Sequence, residues 1–306
     1  MTPIELTPGG IATLACMLEI SAPKPGNVHR GADFEDVTFM DFATSAVILG
    51  EVIHSKARQP LGETVLATVE RNSQAVGTNT NLGIVLLIVP LAKVAADPAI
   101  GKLTVKALRE YLKGLTPEDG GNVYAAIRLA QPGGLGSSSK MDVHSEFKDG
   151  VDLISAMELT ADRDAIARQY TTGFVDVFEC GLPLIDKGQK VFGNLSQAIV
   201  YAHVALMARE GDSLIARKCG MDVAEHSKFL AAKAVECLDI IGESDRAISD
   251  KVNSEEALES FWAAVGELDF WLRSDGHRRN PGTTADLIAA SLFVGIHNGT
   301  IQPPFR

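Results

Sequence analysis

Apolar residues recur along the chain at the spacing of an α-helix. From Ile166 to Phe178, apolar or aromatic residues stand four positions apart, and the same step continues from Leu195 to Ile199. Residues with this spacing share one face of a helix. Runs of β-branched or aromatic residues with the alternating polarity of a strand are almost absent. The pattern predicts an all-α protein, with further helices over Gly10 to Ile20, Val37 to Ala57, Glu63 to Ala75, Thr104 to Lys113, Asn122 to Gln131, Val223 to Ile240, Glu255 to Trp271 and Thr284 to Asn298.

The most apolar stretch runs from Leu82 to Ala96 and predicts a buried helix. It is shorter than the ~20 residues that a membrane-spanning helix needs, and it contains Pro90 and Lys93. About a dozen helices with short links predict one large domain, residues 1–306, around this central helix. The loosest segment, Pro132 to Gly150, is rich in glycine and serine, which predicts a loop and a candidate lid.

Composition narrows the classes of protein. With 46% hydrophobic residues in 306, the chain can bury a large core, which argues against disorder. The formal charge of 28 − 39 = −11 argues against binding to nucleic acid, which relies on clustered Lys and Arg. Four separated cysteines, together with a start that lacks a signal-peptide pattern, predict a reduced protein of the cytoplasm with no membrane partner.

The first concentration of polar residues is the loop from Ser21 to Asp36, which contains two prolines and two glycines. Lysine and arginine bind phosphate oxygens and carboxylates bind Mg²⁺, so the loop suits a metal-chelated polyphosphate. An exposed inter-helix loop with surface ion pairs explains the same residues equally well. The candidate site residues in it are Lys24, Gly26, Asn27, His29, Arg30, Asp33, Glu35 and Asp36.

The second concentration leads directly into the apolar helix. Asn79, Thr80 and Asn81 are predicted to stand at its N-terminus, where free backbone N–H groups accept an anion or a nucleotide hydroxyl. A single capping residue is the simpler alternative. A cap needs only one such side chain, however, so the excess of polar residues favours a binding role.

The third concentration, residues 274–286, opens the last helix. Its candidate ligands are Asn280, Gly282 and Thr283, with Asp286 in the first turn as a metal ligand. A capping threonine with an aspartate that favours the helix dipole is the alternative. Asp212, with Arg217, is a further candidate that a new helix cap also explains.

Together these motifs resemble the triphosphoribosyl-dephospho-CoA synthase family. Pro23 to Ala32, Asn79 to Ile84, Asp212 with Arg217, and Asn280 to Leu287 stand in the order found in that family. The resemblance covers nearly the whole chain, from about Leu14 to Val294. It implies an all-helical enzyme that binds ATP with Mg²⁺ and transfers the triphosphoribosyl group to the ribose 2′-hydroxyl of 3′-dephospho-CoA, releasing adenine. A homodimer is an open expectation.

The chemistry of that transfer suggests roles for the candidates. An N-glycosidic bond breaks through an oxocarbenium-like centre while a base takes the proton of the attacking hydroxyl. Asp33, Glu35 or Asp36 is predicted to be the base. Lys24 and Arg30 are predicted to hold the triphosphate, and the metal ligands are predicted to be Asp36, Asp212 and Asp286.

The chain also departs from the family pattern. Where the family has a histidine this chain has Asp33, and the family's N-T-H-K-G reads Asn79 to Gly83, with Asn81 and Leu82 in place of His and Lys. These changes leave alternatives open. One is transfer of a phosphoribosyl or triphosphoribosyl group to another acceptor, such as a pterin. Others are a non-catalytic nucleotide-binding helical protein and a hydrolase of ADP-ribose-like linkages.

Overall fold

The computed structural model describes residues 6–78, 80–131, 150–239 and 255–305. These residues form fourteen α-helices and one short π-helix and contain no β-strand, so the all-α prediction is confirmed. The elements are α1 Pro8–Ser21, α2 Phe39–Ser55, α3 Leu61–Val76, α4 Leu82–Ala95, α5 Val105–Lys113, α6 Pro117–Ala130, α7 Leu153–Glu158, α8 Ala165–Thr172, the π-helix Val177–Gly181, α9 Leu182–Phe192, α10 Leu195–Glu210, α11 Ser213–Cys219, α12 Met221–Asp239, α13 Glu255–Arg273 and α14 Gly282–His297.

The spacing of apolar residues from 166 to 178 is misleading, because these residues do not form one helix. The backbone of Gly173 (φ 75°) and Phe174 (φ 68°) is left-handed, and this ends α8 before the π-helix begins. Phe174 is fully buried, so packing holds it in a conformation that side chains rarely adopt. The candidate lid at 132–150, except its last residue, lies outside the described residues, as do Asn79 and Ile240.

Three helices, not one, form the centre of the fold. Eleven of the 14 residues of α4 are buried, as are 11 of 16 in α10 and 12 of 16 in α14. The last helix packs against α1, α4 and α10, which brings distant parts of the chain into one core. No helix in the described ranges is long and apolar enough to cross a membrane.

A single buried carboxylate fixes the relative position of α11 and α14. Oδ1 of Asp212 accepts hydrogen bonds from the backbone N–H groups of Leu214 and Ile215, which caps α11. Its Oδ2 accepts from both the backbone N–H and the hydroxyl of Thr284, which caps α14. Because one side chain satisfies donors at both N-termini, the two helices begin side by side.

Candidate functional site

A cavity of about 1140 Å³ opens where several helices begin. Its volume exceeds the ~300–1,000 Å³ of an ordinary small-molecule site, so it has room for more than one nucleotide-sized group. The first residues of four helices line it, namely those of α4, α8, α11 and α14. Helix N-termini carry partial positive charge, which favours an anionic ligand, although Asp164 already caps α8 and Asp212 caps both α11 and α14.

Cationic side chains also line part of the cavity. Lys218 lines the cavity, its Nζ donates to Oδ1 of Asn280 at 3.3 Å, and burial lowers the pKa of its ammonium. Arg217 donates to Asp164, while its Nε is buried with no partner among the described residues. Arg163 is exposed at the cavity wall. These cations can bind phosphate groups, but the cavity as a whole is not positive, because eight Asp and Glu side chains line it beside four Lys and Arg side chains.

Asp286 is a carboxylate of the cavity that other protein groups leave free. It makes no hydrogen bond or ion pair with any residue in the described ranges. Burial raises the pKa of its carboxyl well above the ordinary value, as do the nearby carboxylates Glu19 and Asp212, while Arg217 opposes the shift. A carboxyl whose pKa is raised towards neutrality suits proton transfer.

The carboxylate of Asp286 lies against the first turn of α4. A Cβ built on Gly83 would stand 2.0 Å from Oδ2 of Asp286, so only a glycine leaves room for the carboxylate there. Asn81, at the N-cap of α4, does not cap the helix with its side chain; its Oδ1 accepts instead from Nδ2 of Asn72 at 2.8 Å. The second and third polar segments of the sequence therefore meet in one place.

Replacing Gly83 by alanine tests this contact. The new Cβ must displace the carboxylate, and a misplacement of about 1 Å can cost a reaction about 100-fold. We expect Gly83→Ala to lower the transferase activity that the family resemblance implies at least tenfold, with the helix content unchanged by circular dichroism. The control is Gly266→Ala in α13, where a Cβ meets nothing within 4 Å. It should keep full activity and stabilise the protein by about 0.5–1 kcal/mol. Equal activity in the two variants would contradict the contact.

Ten of the predicted site residues line the cavity. They come from all the polar segments that the sequence indicated, which the fold brings together. They are Asn27, Asp36, Thr80, Asn81, Asp212, Arg217, Asn280, Gly282, Thr283 and Asp286. Six others do not line it, namely Lys24, Gly26, His29, Arg30, Asp33 and Glu35.

Lys24 has a structural environment. Its side chain is fully buried, and its Nζ contacts Oε1 of Glu19 at 2.8 Å and the backbone oxygens of Glu19 and Ala22 at 2.5 and 3.4 Å. The ammonium thus closes the C-terminus of α1 and does not face the cavity. Gly26 is needed for the backbone, since its φ is 72° and a Cβ would lie 2.7 Å from Leu272.

The remaining residues of the first loop lie on the outside. Arg30, Asp33 and Glu35 are exposed, and Oδ1 of Asp33 accepts from the backbone N–H of Phe39 at 2.7 Å, which caps α2. Nδ1 of His29 accepts from Gly31, and burial lowers the pKa of its imidazole. The structure thus places the loop's acidic candidates for the base, other than Asp36, away from the cavity.

Two metal-ligand candidates are already occupied by hydrogen bonds or an ion pair. Both oxygens of Asp212 bind helix donors, and burial raises the pKa of its carboxyl although these donors oppose the shift. Asp36 is exposed at the rim of the cavity, where its Oδ1 lies 3.1 Å from Nδ1 of His277. Within the described ranges no group of three or more His, Cys, Asp or Glu side chains is arranged to hold a metal ion. Mg²⁺ commonly takes one or two carboxylates and completes its shell with phosphates and water, so Asp36, which pairs with His277 through one oxygen only, suits an ion that enters with a triphosphate.

Sequence reasoning missed several residues of the cavity wall. Glu19 lies within α1, and Asn72 lies on the inner face of α3, where no polar motif indicated them. Arg163 and Asp164 precede a helix and carry only the weak signal of an N-cap aspartate. Lys218 follows Arg217 directly, so the adjacent pair of cations was a usable signal.

Known proteins give an independent view of this arrangement. No curated protein sequence matches the chain. A crystal structure from Archaeoglobus fulgidus, provisionally named a triphosphoribosyl-dephospho-CoA synthase, is similar with a TM-score of 0.63 and 26% identity, over 86% of this chain and 99% of that one. The family model for ATP:dephospho-CoA triphosphoribosyl transferase matches residues 6–302, a span that includes every helix around the cavity. The chain that builds this cavity where four helices begin therefore belongs to the ATP:dephospho-CoA triphosphoribosyl transferase family.

Proposed function

We propose that this protein transfers the triphosphoribosyl group of ATP to the ribose 2′-hydroxyl of 3′-dephospho-CoA and releases adenine. The observation that carries the proposal is the cavity in which Lys218, Arg163 and the start of α4 surround a carboxylate free of protein hydrogen bonds, Asp286. Membership of the family supports the choice of donor and acceptor.

In this reaction one bond forms and one breaks at C1′ of the donor ribose. The acceptor oxygen bonds to C1′ as the bond from C1′ to the adenine nitrogen breaks. The hydroxyl loses one proton and the leaving adenine gains one, so no proton is taken up or released overall. The site must therefore hold the triphosphate, accept the proton of the hydroxyl and stabilise positive charge at C1′.

Lys218 and Arg163 are proposed to hold the triphosphate. Lys218 is half-buried beside Asn280, and the start of α14 at Gly282 and Thr283 lines the same wall. Partial burial strengthens the attraction between an ammonium and a phosphate because the local dielectric constant is low. Mg²⁺, bound with the triphosphate, would neutralise part of its charge, and Asp36 is the rim carboxylate proposed to contact it.

Asp286 is proposed to take the proton from the acceptor hydroxyl. As a carboxylate it also faces the ribose carbon that becomes positive, and a negative charge there stabilises an oxocarbenium-like centre. Its raised pKa makes it a stronger base than an ordinary aspartate. This assignment replaces Asp33 and Glu35, which lie outside the cavity.

The departures from the family pattern give no reason to change the acceptor. Asp33 caps α2 on the outside of the protein. Leu82 is a buried member of the core, and Asn81 is bonded to Asn72. Asp33 and Leu82 therefore have structural roles away from the phosphates. Dephospho-CoA remains the proposed acceptor.

A product analysis tests the proposal. We expect ATP with dephospho-CoA to yield adenine and triphosphoribosyl-dephospho-CoA in equal amounts, identified by mass spectrometry. A parallel reaction with a pterin in place of dephospho-CoA should give no product, and ATP alone should give no ribose triphosphate. Transfer only to the pterin, or release of adenine in water without an acceptor, would overturn the proposed acceptor. Calorimetry that shows no binding of ATP would instead favour the non-catalytic alternative.

The setting of the reaction is also a proposal. We propose that residues 1–306 act as one domain in the cytoplasm, where ATP and coenzyme A precursors are made. Light scattering of the purified protein tests the expected homodimer.

A further inference from the structure

Asn72 is a buried amide with one end unused. It lies on α3, is 5% exposed and lines the cavity. Its Nδ2 donates to Oδ1 of Asn81, while its Oδ1 has no hydrogen-bond partner in the described part of the chain. Buried polar atoms are nearly always paired, and an unpaired one costs about 1–3 kcal/mol. An unused acceptor on a residue that lines a cavity therefore points to a ligand donor, which a rotation of the buried amide would bring into contact with Oδ1.

The walls on this side of the cavity are apolar. Val69 stands one helical turn before Asn72 on α3, and Leu82 and Leu86 share one face of α4. Tyr124 and Ile127 of α6, which packs against α3, complete the lining. All five side chains are at most 8% exposed. A flat apolar group that carries one hydrogen-bond donor fits such walls better than a phosphate or a sugar does.

We infer that Asn72 binds the adenine base of the ATP donor by accepting a hydrogen bond from its 6-amino group. The inference rests on the proposed function and specifies where the leaving base lies. Asn72 is bonded to Asn81 at 2.8 Å, and Asp286 packs against Gly83, two residues further along the chain. The base slot is thus adjacent to the proposed proton acceptor, as it must be for the bond between base and ribose to break there.

The residue would set specificity for the donor. Oδ1 of Asn72 can accept a hydrogen bond from the 6-amino group of adenine, but guanine has a carbonyl at that position and cannot donate one. Sites built around a hydrogen bond reject ligands that lack it. The nucleotide lacking only the amino group, purine riboside triphosphate, isolates this contact. Measuring this nucleotide and ATP on the wild type and on an Asn72 variant forms a double-mutant cycle between the 6-amino group and the Asn72 side chain.

Binding measured by calorimetry tests the inference without requiring turnover. The wild type is expected to bind ATP about tenfold more tightly than purine riboside triphosphate, the effect of one buried hydrogen bond. In Asn72→Leu that tenfold preference should disappear. If leucine disturbs the fold, as judged by circular dichroism and thermal unfolding, Asn72→Ala makes the same comparison.

Asn280→Leu is the matched control, because Asn280 lies at the Lys218 end of the same cavity. It should weaken both nucleotides by the same factor and keep the tenfold preference. A wild type that does not distinguish the nucleotides, or a preference that persists in Asn72→Leu, overturns the inference. Because these are binding ratios, they can stand even if the transfer assay identifies a different acceptor.

Discussion

Replacing Asp286 by asparagine is expected to lower the rate of triphosphoribosyl transfer about 100- to 10,000-fold. That range is the usual contribution of one general acid or base. Asparagine keeps the shape of the side chain beside Gly83 but cannot accept the proton of the hydroxyl or stabilise positive charge at C1′. Single-turnover measurements of adenine release with saturating ATP and dephospho-CoA would check the loss in the chemical step itself.

The same change should make the protein more stable above neutral pH. Burial raises the pKa of Asp286 in the folded state, so folding favours the protonated carboxyl. Stability is then lost as the pH rises from the ordinary aspartate pKa through the raised one, and an amide removes that loss. The transfer rate of the wild type should show the opposite trend, rising through the same pH range as the base loses its proton. Thermal unfolding and the pH dependence of the rate, measured on both proteins, test the two trends.

Asp162→Asn is the control for Asp286→Asn. Asp162 is an exposed aspartate that lines the cavity, so its loss changes the charge of the cavity by the same amount. We expect its rate to stay within about twofold of the wild type, as for exposed charges in general. A similar loss in both variants would show that charge alone matters and would remove Asp286 as the base.

Replacing Lys24 by methionine is expected to destabilise the protein by about 3–5 kcal/mol, the usual effect of breaking a buried ion pair. Methionine fills a similar volume but leaves the carboxylate of Glu19, which is 3% exposed, without its cation. It also removes the donor to the carbonyls at the end of α1. Unfolding in urea, followed by circular dichroism, would measure the difference.

The pH dependence identifies the unpaired carboxylate as the cause. Burial already raises the pKa of Glu19, and Lys24 opposes that shift. Without the lysine the pKa rises further, so the deficit of Lys24→Met should grow as the pH rises and shrink in acid, where Glu19 is protonated. Glu19→Gln introduced into the same variant should recover much of the loss. A deficit independent of pH would contradict this account.

Lys113→Met is the matched control, because Lys113 is 70% exposed and pairs with Glu110 on the surface of α5. Its loss should cost less than about 1 kcal/mol. If Lys24→Met were as stable as this control but had lost ATP binding, Lys24 would hold phosphate, as its place in the Pro23 to Ala32 motif first suggested.

Much of the fold was predictable from local pattern. The apolar run of α4 and the cap at Asn194, whose side chain accepts from Gln197 N–H, follow from residues near each other in sequence. The break at Phe174 was not predictable, because its left-handed backbone is held by burial against distant residues. A helix cap at Asp212 was one of the two interpretations that the sequence allowed, but that the same carboxylate also caps α14 was not predictable, because the two helices are far apart in sequence.

The candidate site, like the fold, was predictable from the sequence only in part. The sequence by itself determined that the protein is helical, which family it resembles, and which polar segments stand at helix starts. Only the tertiary structure decided which side chains face the ligand, because burial and pairing depend on residues far apart in the chain. It turned Lys24 inward to Glu19, committed Asp212 to two helix caps, and left Asp286 and Asn72 in the cavity wall with oxygens that no protein group uses. A residue's type gives its chemistry, but its neighbours in space determine whether that chemistry is available to a substrate.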